Sequence, residues 1–395
     1  MAVRHVTDAE RRSRIAVRHA LAPAHRLGDV EAVTRAMTVL HATEAATVHL
    51  AVAARTEGVG PEDVDAALHD SRQVVKQLAM RRTLFVFPRD LLPAAWGSAS
   101  ARVATAERKR IAKAIAGAGI ADDGEAWLDA ACDATLARLA AGPATTAELR
   151  AEVPELAGMV GGTTDKPYDR PTPVAPWVLT TLGLDGRAVR GRNAGHWRLN
   201  KPTWTTTADW LGTVPEPLDE AAGYAELVGA WLRTFGPGTV ADLQWWLGST
   251  KTAVTRALAD VGAVEVVLDD GATGWLHPLD TDDVGPVEPW AALLPTLDPT
   301  VMGWRGREFY LDPAHVPYLF DTNGNAGTTA WWDGRIVGCW VQDDEGVVRL
   351  SLLEDVGPGG RAALEVEAAR LTAWLDGTVI GNVYASRQMK QARLP

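Results

Sequence analysis

Apolar side chains recur three to four positions apart in short runs through most of the chain, the spacing that turns one face of a helix toward a core. Near the N-terminus this pattern predicts helices at about 29–39, 43–57 and 61–79, followed by a strand in "RTLFVFP". Further on, two segments share one signature: "GPATTAEL" (142–149) and "GPGTVADL" (236–243). Before each, an apolar helix ("LDAACDATLARLAA" or "YAELVGAWLRTF") stops at Gly-Pro, because Gly tolerates the terminal turn and Pro cannot continue the helix. Thr145 with Glu148, and Thr239 with Asp242, then restart a helix as capping-box pairs. Two helices meeting at such a corner make a helix-turn-helix.

After the second copy, "STKTAVTRALADVG" (249–262) reads as a third helix ending at Gly262, and "AVEVVL" and "GWLHPL" read as strands around the turn "DDGATG". That succession is the winged-helix plan. The first copy has a comparable sequel in "VAPWVLTTLG", "RAVRG" and "HWRLN", with "RNAG" as the wing turn, and the N-terminal segment follows the plan less cleanly. Beyond residue 288, short strands ("REFYL", "TTAWWDG", "RIVGCWVQ", "VVRLSLL") between Gly, Asp and Asn turns, with one helix at 360–375, suggest a small β-barrel or sandwich. The expected fold is α+β: three tandem winged-helix domains followed by a C-terminal small β-barrel, divided at 1–120, 121–213, 214–287 and 288–395.

A chain of 395 residues, 47% hydrophobic and 23% charged, has material for several cores. No run of about 18 uncharged apolar residues and no secretion leader stands out, so a cytoplasmic location with no membrane contact is expected. Cys132 and Cys339 are the only cysteines, which excludes a disulfide framework and a multi-cysteine metal site. The net charge of −11 argues against an anionic partner until its distribution is considered. From Arg81 to Lys113 there are eight basic residues against Asp90 and Glu107, whereas residues 251–300 hold nine carboxylates and two basic groups. A polyanion feels the field within a Debye length of about 8–10 Å, so a basic N-terminal half can bind DNA inside an acidic protein.

The stretch "VLHATEAATVHLAVAAR" (39–55) sets His41, Thr43 and Glu44 in an otherwise apolar segment that reads as a helix packed on most faces. On a helix, His41 and Glu44 stand about 60° apart and project from the same side. An ionisable pair among apolar neighbours needs a partner or a job. Tandem winged helices with basic surface otherwise read as a non-enzymatic transcription regulator, but helices that read bases present Arg, Asn, Gln or Lys, and this one does not. His41 and Glu44 could also satisfy one another at a domain contact. They are not a zinc set with His49, because His-x-x-Glu is not His-Glu-x-x-His and His49 falls about 80° away from His41. No metal or cofactor is expected. The sixteen tryptophans read as packing, although an exposed one could stack on an unpaired base.

At this motif, and in "RTLFVFPRDLLP", "LVGAWLRTFGPGTVADLQWWLG" and "LLPTLDPTVMGWRGREFYL", the sequence resembles the AlkZ/YcaQ-type winged-helix DNA glycosylases over nearly its whole length. The family's Gln-Φ-Gln or Gln-Φ-Asp active-site motif corresponds here to Leu40-His41-Ala42-Thr43-Glu44, with Leu50 and Arg55 in register. Both glutamine positions are replaced. The motif is similar instead to an actinomycete branch with His-x-Thr/Ser-Glu, associated with excision of bulky guanine adducts left by intercalating polyketide antibiotics. The resemblance implies a monofunctional glycosylase and antibiotic self-resistance or repair, with double-stranded DNA carrying a bulky purine adduct as partner. It also implies a monomer associated with the nucleoid.

The residues suit that chemistry. An N7-alkylguanine is already cationic, so its departure needs no strong general acid. The site must supply a negative group beside the oxocarbenium-like sugar and a base for the attacking water. Glu44 can serve both needs, His41 can bond the carboxylate or a phosphate and orient water, and Thr43 offers a hydroxyl. No lysine lies in the motif to form a Schiff base, so no lyase step is expected. The DNA contacts expected are Arg55, Arg81, Arg82, Lys166, Arg170, Arg305 and Arg307, although the loop holding Lys166 and Arg170 (161–173) reads first as a linker.

Overall fold

Three small sheets, each of three strands, alternate with groups of helices along the chain. The computed structural model describes residues 3–161 and 170–392. The first sheet orders Leu40–His41, Thr83–Pro88 and Val74–Ala79, all antiparallel. The second orders Ala144–Thr145, Pro202–Thr206 and Ala188–Asn193. The third pairs Val264–Leu268 with Thr273–Leu276 and, on its other edge, with Arg4–Val6 in parallel. The N-terminal strand therefore joins a sheet formed far along the chain, sealing Val6 against Val266, Leu268 and Leu276.

The repeated signature folds as its residues dictate. The helix Gly124–Leu139 stops before Gly142-Pro143, and Glu220–Phe235 stops before Gly236-Pro237. Thr145 and Thr239 each accept a bond from the backbone of Glu148 and Asp242, whose carboxylates return to the Thr N–H groups, so Thr146–Glu152 and Val240–Leu247 both start in full capping boxes. The helix Lys251–Val261 ends at Gly262 in the left-handed region, φ 71°, where a Cβ would be strained.

Four expectations fail for local reasons. The helix begun at Pro61 ends at His69, and Val74–Ala79 is a strand, because Asp70 and Ser71 both turn back to the Ala66 carbonyl and a β-branched alternating stretch follows. "HWRLN" is not a strand; the second wing strand is Pro202–Thr206, and Trp197 stands in the loop between. "REFYL" is not a strand either, since the Tyr310 and Leu311 N–H groups bond the Arg307 carbonyl in a turn. Finally, the C-terminal region has no closed barrel. Ala291–Leu294, Thr329–Trp332, Arg335–Gln342 and Val348–Leu352 form an open antiparallel sheet in sequence order. Four strands enclose no interior for side chains to fill, and the long helix Gly357–Leu375 covers one face through Leu364, Ala368, Leu371 and Leu375.

A continuous core joins residues of the first sheet, the Glu220–Phe235 helix and the C-terminal region, including Val86, Trp231 and Trp331. The second sheet has its own core, to which the Ala101–Gly117 helix contributes Ile111 and Ile115. No described helix is long and apolar enough to cross a membrane.

Candidate active site

His41 and Glu44 do not share a helix. Leu40–His41 is a strand paired to Val86 and Phe85, and the helix begins only at Ala45, with Glu44 as its extended N-cap. Leu40 and His41 are drawn into the sheet because the Thr83–Pro88 strand offers its free edge there. The Glu44 side chain makes no bond to its own helix. Its Oε2 instead accepts from the Thr296 hydroxyl, and its Oε1 from the backbone N–H groups of Val383 and, at 3.3 Å, Tyr384. All these partners are neutral, and Glu44 as a whole residue is buried, 9% exposed. The expected bond between His41 and Glu44 is therefore replaced by three donors from the C-terminal region.

The segment 295–300 straps down the helix that Glu44 begins. Thr296 donates its hydroxyl to Glu44 and its carbonyl accepts from Thr47 at 3.0 Å. Two residues on, Asp298 takes a two-point bond from Arg55 (2.9 and 2.7 Å), and Thr300 accepts from Arg55 and contacts His19, each at 2.8 Å. The segment is not extended: the Asp298 N–H bonds the Pro295 carbonyl, Leu297 is left-handed with φ 59°, and these turns bring Thr296, Asp298 and Thr300 to the helix. Arg55 was expected at DNA; with no exposure and this partner, it is a structural cation instead.

The imidazole of His41 stands edge-on to Phe85, ring centres 5.2 Å apart, with Nδ1 buried and unpartnered. Burial, followed by the nearby Arg81 guanidinium, pushes its pKa down to about 3, so the ring is neutral at physiological pH. Thr43 is half-buried. Burial also raises the Tyr384 hydroxyl, as do Glu44 and Asp321, so the phenol keeps its proton as a donor.

Much of the sequence-level charge asymmetry is spent inside the protein. Arg14 and Arg18 both reach Asp280, Arg4 reaches Glu10 and Asp283, and His5 lies 3.0 Å from Asp269. Arg108 meets Asp129 and Asp185, while Arg82 and Arg110 share Glu107. Arg81 stands apart from this pairing. At the tip between Val74–Ala79 and Thr83–Pro88, Arg81 and Arg82 are both left-handed, φ 53° and 59°, a conformation costing L-residues roughly 1–2 kcal/mol each. Arg81 packs over Trp245, 4.2 Å from the ring centre, and Arg307 approaches the same ring at 5.3 Å.

A family model for AlkZ-like DNA glycosylases matches residues 34–374. The chain belongs to the AlkZ-like DNA glycosylase family. Its structure is similar to that of the Streptomyces sahachiroi DNA glycosylase AlkZ, with a TM-score of 0.72 and 19% identity, covering 94% of this chain and 97% of that one. No curated protein matches. For an AlkZ-like glycosylase the partner is DNA, and the remaining expected contacts sort by exposure. Arg82 and Arg305 are exposed, although Arg82 is held by Glu107, and Arg170 is exposed; Lys166 lies outside the described residues. No described group of three or more His, Cys, Asp or Glu side chains could hold a metal. The sequence reading missed Thr296, Tyr384 and Trp245. Nothing local marks any of the three, since Thr296 reaches Glu44 from a turn 252 residues further along the chain.

Proposed function

We propose that the chain is a monofunctional DNA glycosylase that hydrolyses the N-glycosidic bond of a bulky N7-alkylguanine in double-stranded DNA, with Glu44 as the catalytic carboxylate. The reading includes the division into three winged-helix units and a C-terminal unit. The observation that carries it is the setting of Glu44: a buried carboxylate with no cationic partner among the described residues, aimed by three neutral donors. A negative charge so placed, and not cancelled, favours a developing oxocarbenium ion at the sugar.

In this mechanism the water oxygen attacks C1′ and gives its proton to Glu44. The C1′–N9 bonding pair passes to the departing guanine and neutralises its cationic ring. Neutral His41 orients the water or a phosphate oxygen, and the Thr43 hydroxyl offers a further bond. No lysine lies between residues 39 and 55, so the abasic site is left without strand cleavage by a Schiff base. Exposed Arg82, Arg170 and Arg305 contact the backbone of the duplex.

Incubating wild type and Glu44→Gln with a panel of N7-adducted duplexes, followed by alkaline cleavage of abasic sites, tests the reading. Wild type should release base and the variant should bind DNA with unchanged affinity but lose release by at least a hundredfold, the scale of a lost catalytic base. Base release unchanged in the variant, or a sequence-specific footprint with no abasic product from any adduct, would overturn it.

A further inference from the structure

From the indole of Trp245 and the two guanidiniums packed on it, we infer a binding site for a single phosphodiester of the DNA backbone, on the sheet that holds His41, with Arg81 and Arg307 as its two ligands. The inference deepens the reading above and rests on DNA being the partner.

Four observations meet at this point. The two cations come from distant parts of the chain, one from the tip after Val74–Ala79 and one from the turn at 307–311, and they converge on one ring at 4.2 and 5.3 Å. Like charges do not gather without an anion or a polarisable surface between them; the indole face supplies part of that attraction, and Phe320, 4.8 Å from Arg307, supplies more. Neither arginine has a carboxylate partner among the described residues, whereas Arg82, beside Arg81, is held by Glu107. The Arg81 Nε is buried without a hydrogen-bond acceptor, a cost that an incoming oxygen removes.

The backbone is shaped around the same side chain. A tip with two successive left-handed residues is cheapest with Gly or Asn, yet Arg81 and Arg82 occupy it. Gly248, itself left-handed, approaches so closely that a Cβ there would stand 2.9 Å from the Arg81 Cγ. The Arg81 stem is thus fixed between Gly248 and Trp245, which leaves its fork little conformational freedom to lose on binding. Burial and the neighbouring Arg307 draw the Arg81 pKa down to about 10, so the group is still cationic at pH 7 and gains from an anion. Arg81 stands at the tip of the hairpin whose Thr83–Pro88 strand pairs His41 with Phe85, so a phosphate held here lies on the same sheet as the motif and helps fix where along the strand the sugar meets Glu44.

The test is a neutralisation scan. Methylphosphonate is placed at one backbone position at a time in a duplex carrying a tetrahydrofuran abasic analogue, and affinities are measured for wild type, Arg81→Gln, Arg307→Gln and the double variant. One position should weaken wild-type binding about tenfold or more and have no effect on any of the three variants. The slope of log affinity against log salt should fall by about 0.9, one phosphate's worth, equally in both single variants and the double. A double variant whose slope falls by about 1.8, or the lack of any position whose effect the substitutions erase, overturns the shared site. Should Arg81→Gln fail to fold, Arg307→Gln in the same scan still decides. The scan uses no excision, so it can succeed where the base-release assay fails, and the reverse.

Discussion

Arg55 and Asp298, 243 residues apart, are joined by two hydrogen bonds of 2.9 and 2.7 Å with neither side chain exposed to solvent. The pair fastens the C-terminal end of the helix that Glu44 begins, while Thr296, two residues before Asp298, fastens its N-terminal end. Removing one partner leaves an uncompensated buried charge. Asp298→Ala is therefore expected to cost about 3–5 kcal/mol, seen as a lower urea midpoint at unchanged slope. The double variant Arg55→Met, Asp298→Leu should recover much of that loss, since two apolar groups leave no charge stranded. A single variant within about 1 kcal/mol of wild type would show that the pair does not hold the helix.

The Thr296 hydroxyl touches Glu44 and is not placed to touch DNA in the reading above, so it acts as a positioning residue. Thr296→Val keeps the shape and removes the donor. Its kcat for base release should fall about 10–100-fold, the range of about 1.4–2.7 kcal/mol, with duplex affinity unchanged and Thr296→Ser close to wild type. Loss of affinity in step with rate, or failure of Ser to rescue, would assign Thr296 a purely structural part.

What the sequence disclosed was local. Capping boxes at Thr145 and Thr239 and the stop at Gly262 depend on residues within a turn of one another, and all three stand in the fold as read. Composition and spacing could not say that Leu40–His41 would leave the helix, because that choice was made by the free edge of a strand more than forty residues later. The partners of Glu44 are more distant still, 252 and 339 residues along the chain. The excess of arginine in the N-terminal half was visible, but pairing with Asp280 and Asp298 removes Arg14, Arg18 and Arg55 from the surface that DNA could meet.

The two repeats also differ in a way their shared pattern hides. Glu148 closes only its own capping box, whereas Asp242 closes its box and accepts from the backbone N–H groups of Arg305 and Gly306 at 2.8 and 3.0 Å. Asp242 thereby sets the loop that leads to Arg307. Asp242→Ala should lose about 3 kcal/mol, since charge-assisted bonds on both sides of it are broken, and Glu148→Ala clearly less, in parallel thermal melts. Equal losses would mean that the Arg305 loop is held by other contacts.

His41 gives a pH dependence with a definite sign. Its pKa is lowered on folding from 6.5 to about 3, so in that window the unfolded chain takes up a proton that the folded protein refuses. Stability from this group is complete above about pH 6.5 and is lost as the pH falls toward 3, at up to about 1.4 kcal/mol per pH unit. His69, drawn down to about 4, also by burial first, adds to the same trend, so the wild-type curve alone does not isolate one ring. His41→Gln does, because an amide cannot take the proton. Between about pH 7.5 and pH 5, wild type should lose about 2 kcal/mol more than His41→Gln in urea titrations. Identical pH dependence in the two proteins would mean that His41 is freely protonated in the fold, and the neutral imidazole assigned to it in catalysis would have to be withdrawn.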